Sequence, residues 1–509
     1  MTPLWMLAGC GWNHLPAGND VWLEDLWEPS QVVAAEDGLY VRLLRSGGLA
    51  RVSPRGDDPV ALVDVGEGVV TRVDPTPDGD GVIALIERYG CDTDDDLPRR
   101  PTVDDCPEDD LLRSTELSVV RGAKAGRSTR LDGTYNAVQV SDDGAFAIAW
   151  LDLATLDGVD DVVNLTGVAV LDVGSGGSVL VPVGFAPERV LFAADPAGAT
   201  DRAVVLSRNQ VALLELADGP PRRSVTFPLA LDADEGIDPR DVALTPDGGK
   251  ALVTAAGRSD LYVLDLVSPS INIVELAGQP TDLQVVAEAD LSALVFADQA
   301  VLQLVDHATF GTTTIQLDEP MDRIVVDEGR LILYGAGRQH DVYRYDVATR
   351  ELTEYTLQNP ATGLSISPDH GFAVVLTAAE SGDGDGVDGF YDRYPGMEIL
   401  DLLTDDATPF LLEGDGLGLA FDDDGQVLLL QEDQDYLYRY DLLARTESTV
   451  RLSTPPRAVG SLPDGTSWVA QDARLGLVTF LTPPRAREVG GFAVLGIADP
   501  VSLLGSEAP

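Results

Sequence analysis

Histidine and cysteine are scarce in this chain of 509 residues, with four of the first and three of the second. Spread along the sequence, they leave too few ligands in any one neighbourhood for a zinc site of the usual Cys/His kind. Basic residues are scarce too: 34 Lys and Arg stand against 85 Asp and Glu, for a net charge of −51. Nucleic-acid binding rests on basic residues that displace counterions, so this balance excludes it. Anionic lipid heads are repelled in the same way, whereas cations and basic partners are attracted. The plainer account of the acidity is a solvated surface suited to secretion or to salt. No Gly-x-Ser-x-Gly elbow, phosphate loop or Cys-x-x-Cys-His motif occurs. Beyond the N-terminus, no stretch approaches the roughly 18–20 apolar residues of a membrane span.

What is present is glycine (51), proline (32) and a 44% hydrophobic content in short, regularly interrupted runs. Such runs favour strands and tight turns over long helices. The clearest unit starts at Pro239 and divides into four short β-rich segments at 240–245, 251–255, 261–266 and 271–276. A Pro246-Asp247-Gly248-Gly249 turn joins the first two, its glycines supplying positive φ. Related units begin at Pro280, Pro320, Pro360, Gly416 and Arg457, and the turn recurs upstream at Asp78-Gly79 and Asp143-Gly144. Turn glycines keep time: Gly425 to Gly465 is 40 residues, and Gly248 to Gly329 is 81, two units.

Four strands on short turns cannot bury both faces alone, but blades stacked in a closed ring can, leaving only short edges. The fold class is therefore all-β, a single large β-propeller of seven or more four-stranded blades. Nine units are recognisable, and 32–65 is either a partial tenth or a set of strands completing the last blade. The propeller is expected over 31–495, with 1–30 as a signal or anchor remnant and tether, and 496–509 as a tail. The PDG turn between apolar strands and the third strand ending in Asp (Tyr262-Val263-Leu264-Asp265) resemble the YVTN-type, lactonase-like propeller family. That resemblance implies the fold and carries little about activity. The series Asp265, Asp306, Asp346, Asp401 and Asp441 recurs in blade after blade, so turn capping is expected of it rather than catalysis.

Three insertions, at 91–112, 152–164 and 380–395, each fall between a second and a third strand. They hold nine, four and five acids respectively, against Arg99, Arg100 and Arg393 as the bases. Strands alternate in direction, so all three loops should decorate one face of the ring. Loops on a rigid scaffold commonly carry function, although acidic loops also grow wherever growth is tolerated. In the third, Asp383, Asp385 and Asp388 sit in a DGDGVDG run that resembles the aspartate-rich calcium loops of thrombospondin-type repeats. Hard oxygens on a flexible loop suit Ca²⁺. Tyr394 stands where an EF-hand would place its glutamate, and a merely solvated loop is the alternative.

Leu7-Ala8-Gly9-Cys10 resembles a bacterial lipobox, which implies lipidation of Cys10. The segment lacks a basic n-region, and its apolar stretch is barely long enough for a signal, as a misassigned start would explain. Alternatively, Trp5, Trp12, Trp22 and Trp27 pack an ordinary N-terminus on the domain. Cys91 and Cys106 bracket the acidic run. A disulfide between them would close a short loop, contribute about 3 kcal/mol and require an oxidising compartment. Two unpaired thiols are the other possibility. The expected function is a non-catalytic, lipid-anchored envelope propeller, periplasmic or on the outer surface, that binds an envelope protein or cationic ligand. It would need no cofactor other than Ca²⁺. The competing expectations are a lactonase-like or other metal-dependent hydrolase with its site at the central channel, and a redox enzyme with an absorbing cofactor.

Overall fold

The computed structural model describes residues 31–504, except 44–46, 55–59, 67, 92–110, 132, 156–163, 196, 209, 222, 230–235, 338, 381–391, 423–424, 433, 453–455, 472–476, 483–486 and 496–498. Ten antiparallel sheets follow one another along the chain, at 32–62, 69–131, 137–182, 187–227, 239–275, 282–316, 323–356, 361–411, 416–451 and 456–504. Nine have four strands and the last has five, always paired in chain order. These are the blades of a propeller, numbered 1 to 10 below. Asp499–Leu504 supplies the fifth strand of blade 10, carrying that sheet past residue 495.

Burial explains the composition of each strand. Middle strands are covered on both faces by neighbouring blades and read as continuous apolar runs, as in fully buried Phe146–Trp150. Fourth strands lie outermost: Ser270–Glu275 buries only Val274. First strands meet the first strands of adjacent blades, as Pro239–Leu244, Asp282–Val286 and Arg323–Asp327 do, and so surround the central channel.

The recurrent turn is a small hydrogen-bonded device. Thr245 Oγ1 donates to Asp247 Oδ1 and accepts from the Lys250 N–H, while Gly248 takes φ +64°. Ser141, Asp143 and Gly144 repeat it. The third-strand aspartates cap the next turn through backbone N–H groups: Asp265 from Val267 and Ser268, Asp306 from Thr309, Asp346 from Thr349, Asp401 from Leu403 and Thr404, and Asp441 from Ala444. Asp172 does the same for Ser175. Their periodic role is structural.

Ten apolar clusters occupy the ten seams between blades. The seam that closes the ring packs Leu39, Val41 and Val52 of blade 1 against Leu462, Trp468 and Phe480 of blade 10. Residues 32–62 form a whole blade, so the partial unit is complete and does not lend strands to the last blade. Its first turn, a tight hairpin between Ala35 and Gly38, lacks the PDG signature.

Candidate functional site

All three insertions leave their blades between strands two and three, so they rise from the same end of the ring. The first is carried on a ribbon longer than the sequence pattern predicts. Val82–Cys91 and Leu111–Arg121 stay paired from Val82↔Val120 to Cys91↔Leu111. Other second strands run five to eight residues, as in Lys250–Ala255. At the second insertion, Asn136 grips the exit: its Oδ1 accepts from the Asp152 N–H at 2.6 Å, and its Nδ2 donates to Asp152 O at 2.9 Å. The base of the third is tied by a 2.6 Å bond from the Glu380 N–H to Asp392 O. Cys10, Cys106, Asp383, Asp385 and Asp388 lie outside the described residues, as do Asp92, Asp94, Asp95 and Asp96.

Under the third insertion lies a cluster that no motif announces. Glu398, on the third strand of blade 8, is 3% exposed and accepts from the Gln358 N–H at 2.5 Å. Burial pushes its carboxyl up to about 7, against the opposing pull of that N–H and of His340. His340 Nε2 lies 3.4 Å from Glu380 Oε1. Buried Asn359 donates to Tyr394 O at 2.8 Å. A carboxyl that titrates near neutrality beside an imidazole can take up and release a proton. Its position also has a structural precedent. Gln303, at the same place in blade 6, accepts from the Ala277 N–H. The legible signal was a charged residue three positions before Asp401, where blades 5, 6, 7 and 9 carry Tyr262, Gln303, Tyr343 and Tyr438.

On the opposite face, Asp290, His307 and Ser292 form a chain with the connectivity of a hydrolytic triad. Ser292 Oγ lies 2.8 Å from His307 Nε2, and His307 Nδ1 lies 3.0 Å from Asp290 Oδ1. The exposure runs the wrong way for a nucleophile. Ser292 is fully buried, His307 is 2% exposed, and the open end is Asp290. The chain satisfies polar groups within the blade, and no substrate can reach its hydroxyl.

Acids of the channel-facing strands are engaged locally. Asp74 pairs with Arg72 at 2.6 Å, Asp241 with Arg189, and Asp327 with Arg330 and His370. Asp282 accepts from the Ile324 N–H at 2.8 Å. Among the described residues, no three His, Cys, Asp or Glu side chains converge on a point that could hold a metal. No helix among them is long and apolar enough to cross a membrane.

No family model and no curated protein matches the chain. Many solved structures match the chain. One described as a eukaryotic initiation factor is 12% identical, covering 77% of this chain and 91% of its own, with a TM-score of 0.47. Dihydro-heme d1 dehydrogenase NirN in complex with DHE is 14% identical over 67% and 77%, TM-score 0.41. A streptogramin B lyase is 11% identical over 56% and 90%, TM-score 0.32. At these identities and TM-scores the likeness assigns no role to the chain.

Proposed function

We propose that the chain is a non-catalytic binding propeller that presents its insertion face to a cationic partner in the cell envelope. The observation that carries this reading is the common exit of the three insertions, from second-to-third strand junctions at one end of the ring. The three insertions hold eighteen acids and three bases in their sequence, and such like charges repel unless cations or a basic partner screen them. The engaged channel acids and the inaccessible Ser292 favour binding over hydrolysis. Anchoring through lipid on Cys10 and calcium held by Asp383, Asp385 and Asp388 belong to the same reading, and their support is sequence alone.

The test is capture from an envelope extract on immobilised protein, washed with increasing salt. The parent should retain a basic protein that elutes with salt. A variant with the acids at 92–110 and 381–391 changed to Asn or Gln should not. Equal capture by both would reject the insertion face as the docking surface.

A further inference from the structure

A cleft of about 740 Å³ opens between blades 2 and 3, on the face opposite the insertions. Ile83, Leu117, Val140 and Leu171 form its apolar floor. Two other seams show what can fill this place. In four of the third-to-fourth turns capped by Asp, the residue four places on adopts positive φ and bonds back to the Asp carbonyl: Gly176, Phe310, Arg350 and Asp405. Where that residue has a side chain placed by the contacts, it reaches to the preceding blade. Phe310 of blade 6 packs on the cluster shared with blade 5, with Lys250 Nζ 5.7 Å from its ring centroid. Asp405 of blade 8 takes bonds from Arg344 and Tyr355 of blade 7. In blade 3 the position is Gly176, which has nothing to insert.

The cation over the gap is nevertheless present. Gly81 of blade 2 occupies the turn position that Lys250 holds in blade 5, and the Arg121 side chain lies against it, 2.8 Å from where a Cβ would stand. Arg121 is held there by Asp78 and Asp80, each at 2.6 Å. Those two carboxylates offset its charge. Asp143, also at the mouth, is occupied by the Thr200 N–H and hydroxyl. The site therefore has the cation and the apolar floor that surround Phe310, without the ring; Lys124 and Asp142, of opposite sign, complete its charged lining, so the rim favours neither an anion nor a cation. Its volume falls within the roughly 300–1,000 Å³ typical of small-molecule sites.

We propose that this cleft binds a small, uncharged aromatic molecule, whose ring takes the place that Phe310 fills at the seam three blades on. Arg121 would meet the ring through a cation–π contact. The inference stands apart from the insertion face and from any partner there.

The experiment is a fluorescence titration of the full chain with N-phenyl-1-naphthylamine. One saturable site is expected, displaced by naphthalene and at least tenfold less effectively by saturated decalin. Gly176→Phe, which copies the blade 6 residue, and Thr129→Trp, on the cleft wall, should each weaken binding tenfold or more. Arg121→Gln should weaken it about threefold. Phe310→Gly should open the matching gap between blades 5 and 6 and raise the stoichiometry from one to two, an arm that does not depend on the filled variants folding. Absence of a saturable site overturns the proposal, as does parent-like binding by a folded Thr129→Trp variant. Equal displacement by decalin overturns the aromatic class, and a stoichiometry of one in Phe310→Gly overturns the plug argument.

Discussion

His370 occupies the turn position that Gly79, Gly144 and Gly248 hold in other blades, at φ +57°, and its Nδ1 is bonded to the buried carboxylate of Asp327 in the preceding blade. A non-glycine residue there is strained, and the link across the seam offsets the strain. Asp327 holds the imidazole's affinity for its proton above the usual histidine value. The ionic part of the link is therefore fully present below the ordinary histidine pKa and is lost as pH rises through the raised one. The advantage of the parent over His370→Gly in thermal melts should be largest near pH 6 and smallest near pH 9. A pH-independent difference would mean that only packing is lost.

Glu398 follows the same sign over a lower pH range, and the cause is burial rather than a charged partner. Its folded pKa of about 7 lies above the ordinary 4.5. The contribution that favours folding is present below the unfolded value and is lost as pH rises from about 4.5 to 7. Glu398→Gln, which imitates Gln303, should match the parent near pH 4.5 and exceed it at pH 8 by on the order of 2 kcal/mol, measured by urea unfolding. A deficit at pH 8 would show that the carboxylate is needed ionised.

Asp422 and Arg439 form a nearly buried pair in blade 9, 2.9 Å apart and 3% and 7% exposed. Asp422 also accepts from the Gln426 N–H at 2.8 Å. Removing either partner strands the other charge, so Asp422→Leu and Arg439→Leu should each cost about 3–5 kcal/mol. The double variant should cost clearly less than their sum. Additive losses in denaturant unfolding would show that the two side chains act separately.

Calcium should raise the melting temperature at fixed ionic strength more than magnesium does, because a ligand of the folded state alone stabilises by mass action. Asp383→Ala with Asp385→Ala should abolish the calcium-specific part. Equal responses to both ions, unchanged in the variant, would leave the third insertion a solvated acidic loop.

Protein made in an oxidising compartment should give a linked Cys91–Cys106 peptide on mapping without reduction. Native protein should also have an intact mass consistent with lipid on Cys10. Two freely alkylated thiols, or an unmodified Cys10 with residues 1–9 still attached, would remove the corresponding part of the envelope reading.

The ring was legible because its signals are local. The turn of Thr245, Asp247 and Gly248 and the cap of Asp265 each lie within six residues, and each recurs at a fixed period. Blade 1 was hard to read because it replaces that turn with a two-residue hairpin. The features that bear on chemistry join distant segments. Glu398 is read through Gln358, 40 positions away, and His370 through Asp327, 43 positions away. Gly176 looks like any turn glycine until Phe310 shows what its counterpart does. Such pairings depend on which blade leans on which, and the order of residues within one repeat does not encode that.

Each described sheet draws its strands from one continuous stretch of chain, including the two that meet where blade 1 abuts blade 10. Among the described residues, no hydrogen-bonded ladder bridges that joint, and side-chain packing latches it. The described ring is thus latched at this seam by the same kind of apolar packing as at the other nine. A circular permutant cut in any blade-to-blade connection would keep every sheet whole and move the latch to another seam, at a cost set by that seam's apolar contacts.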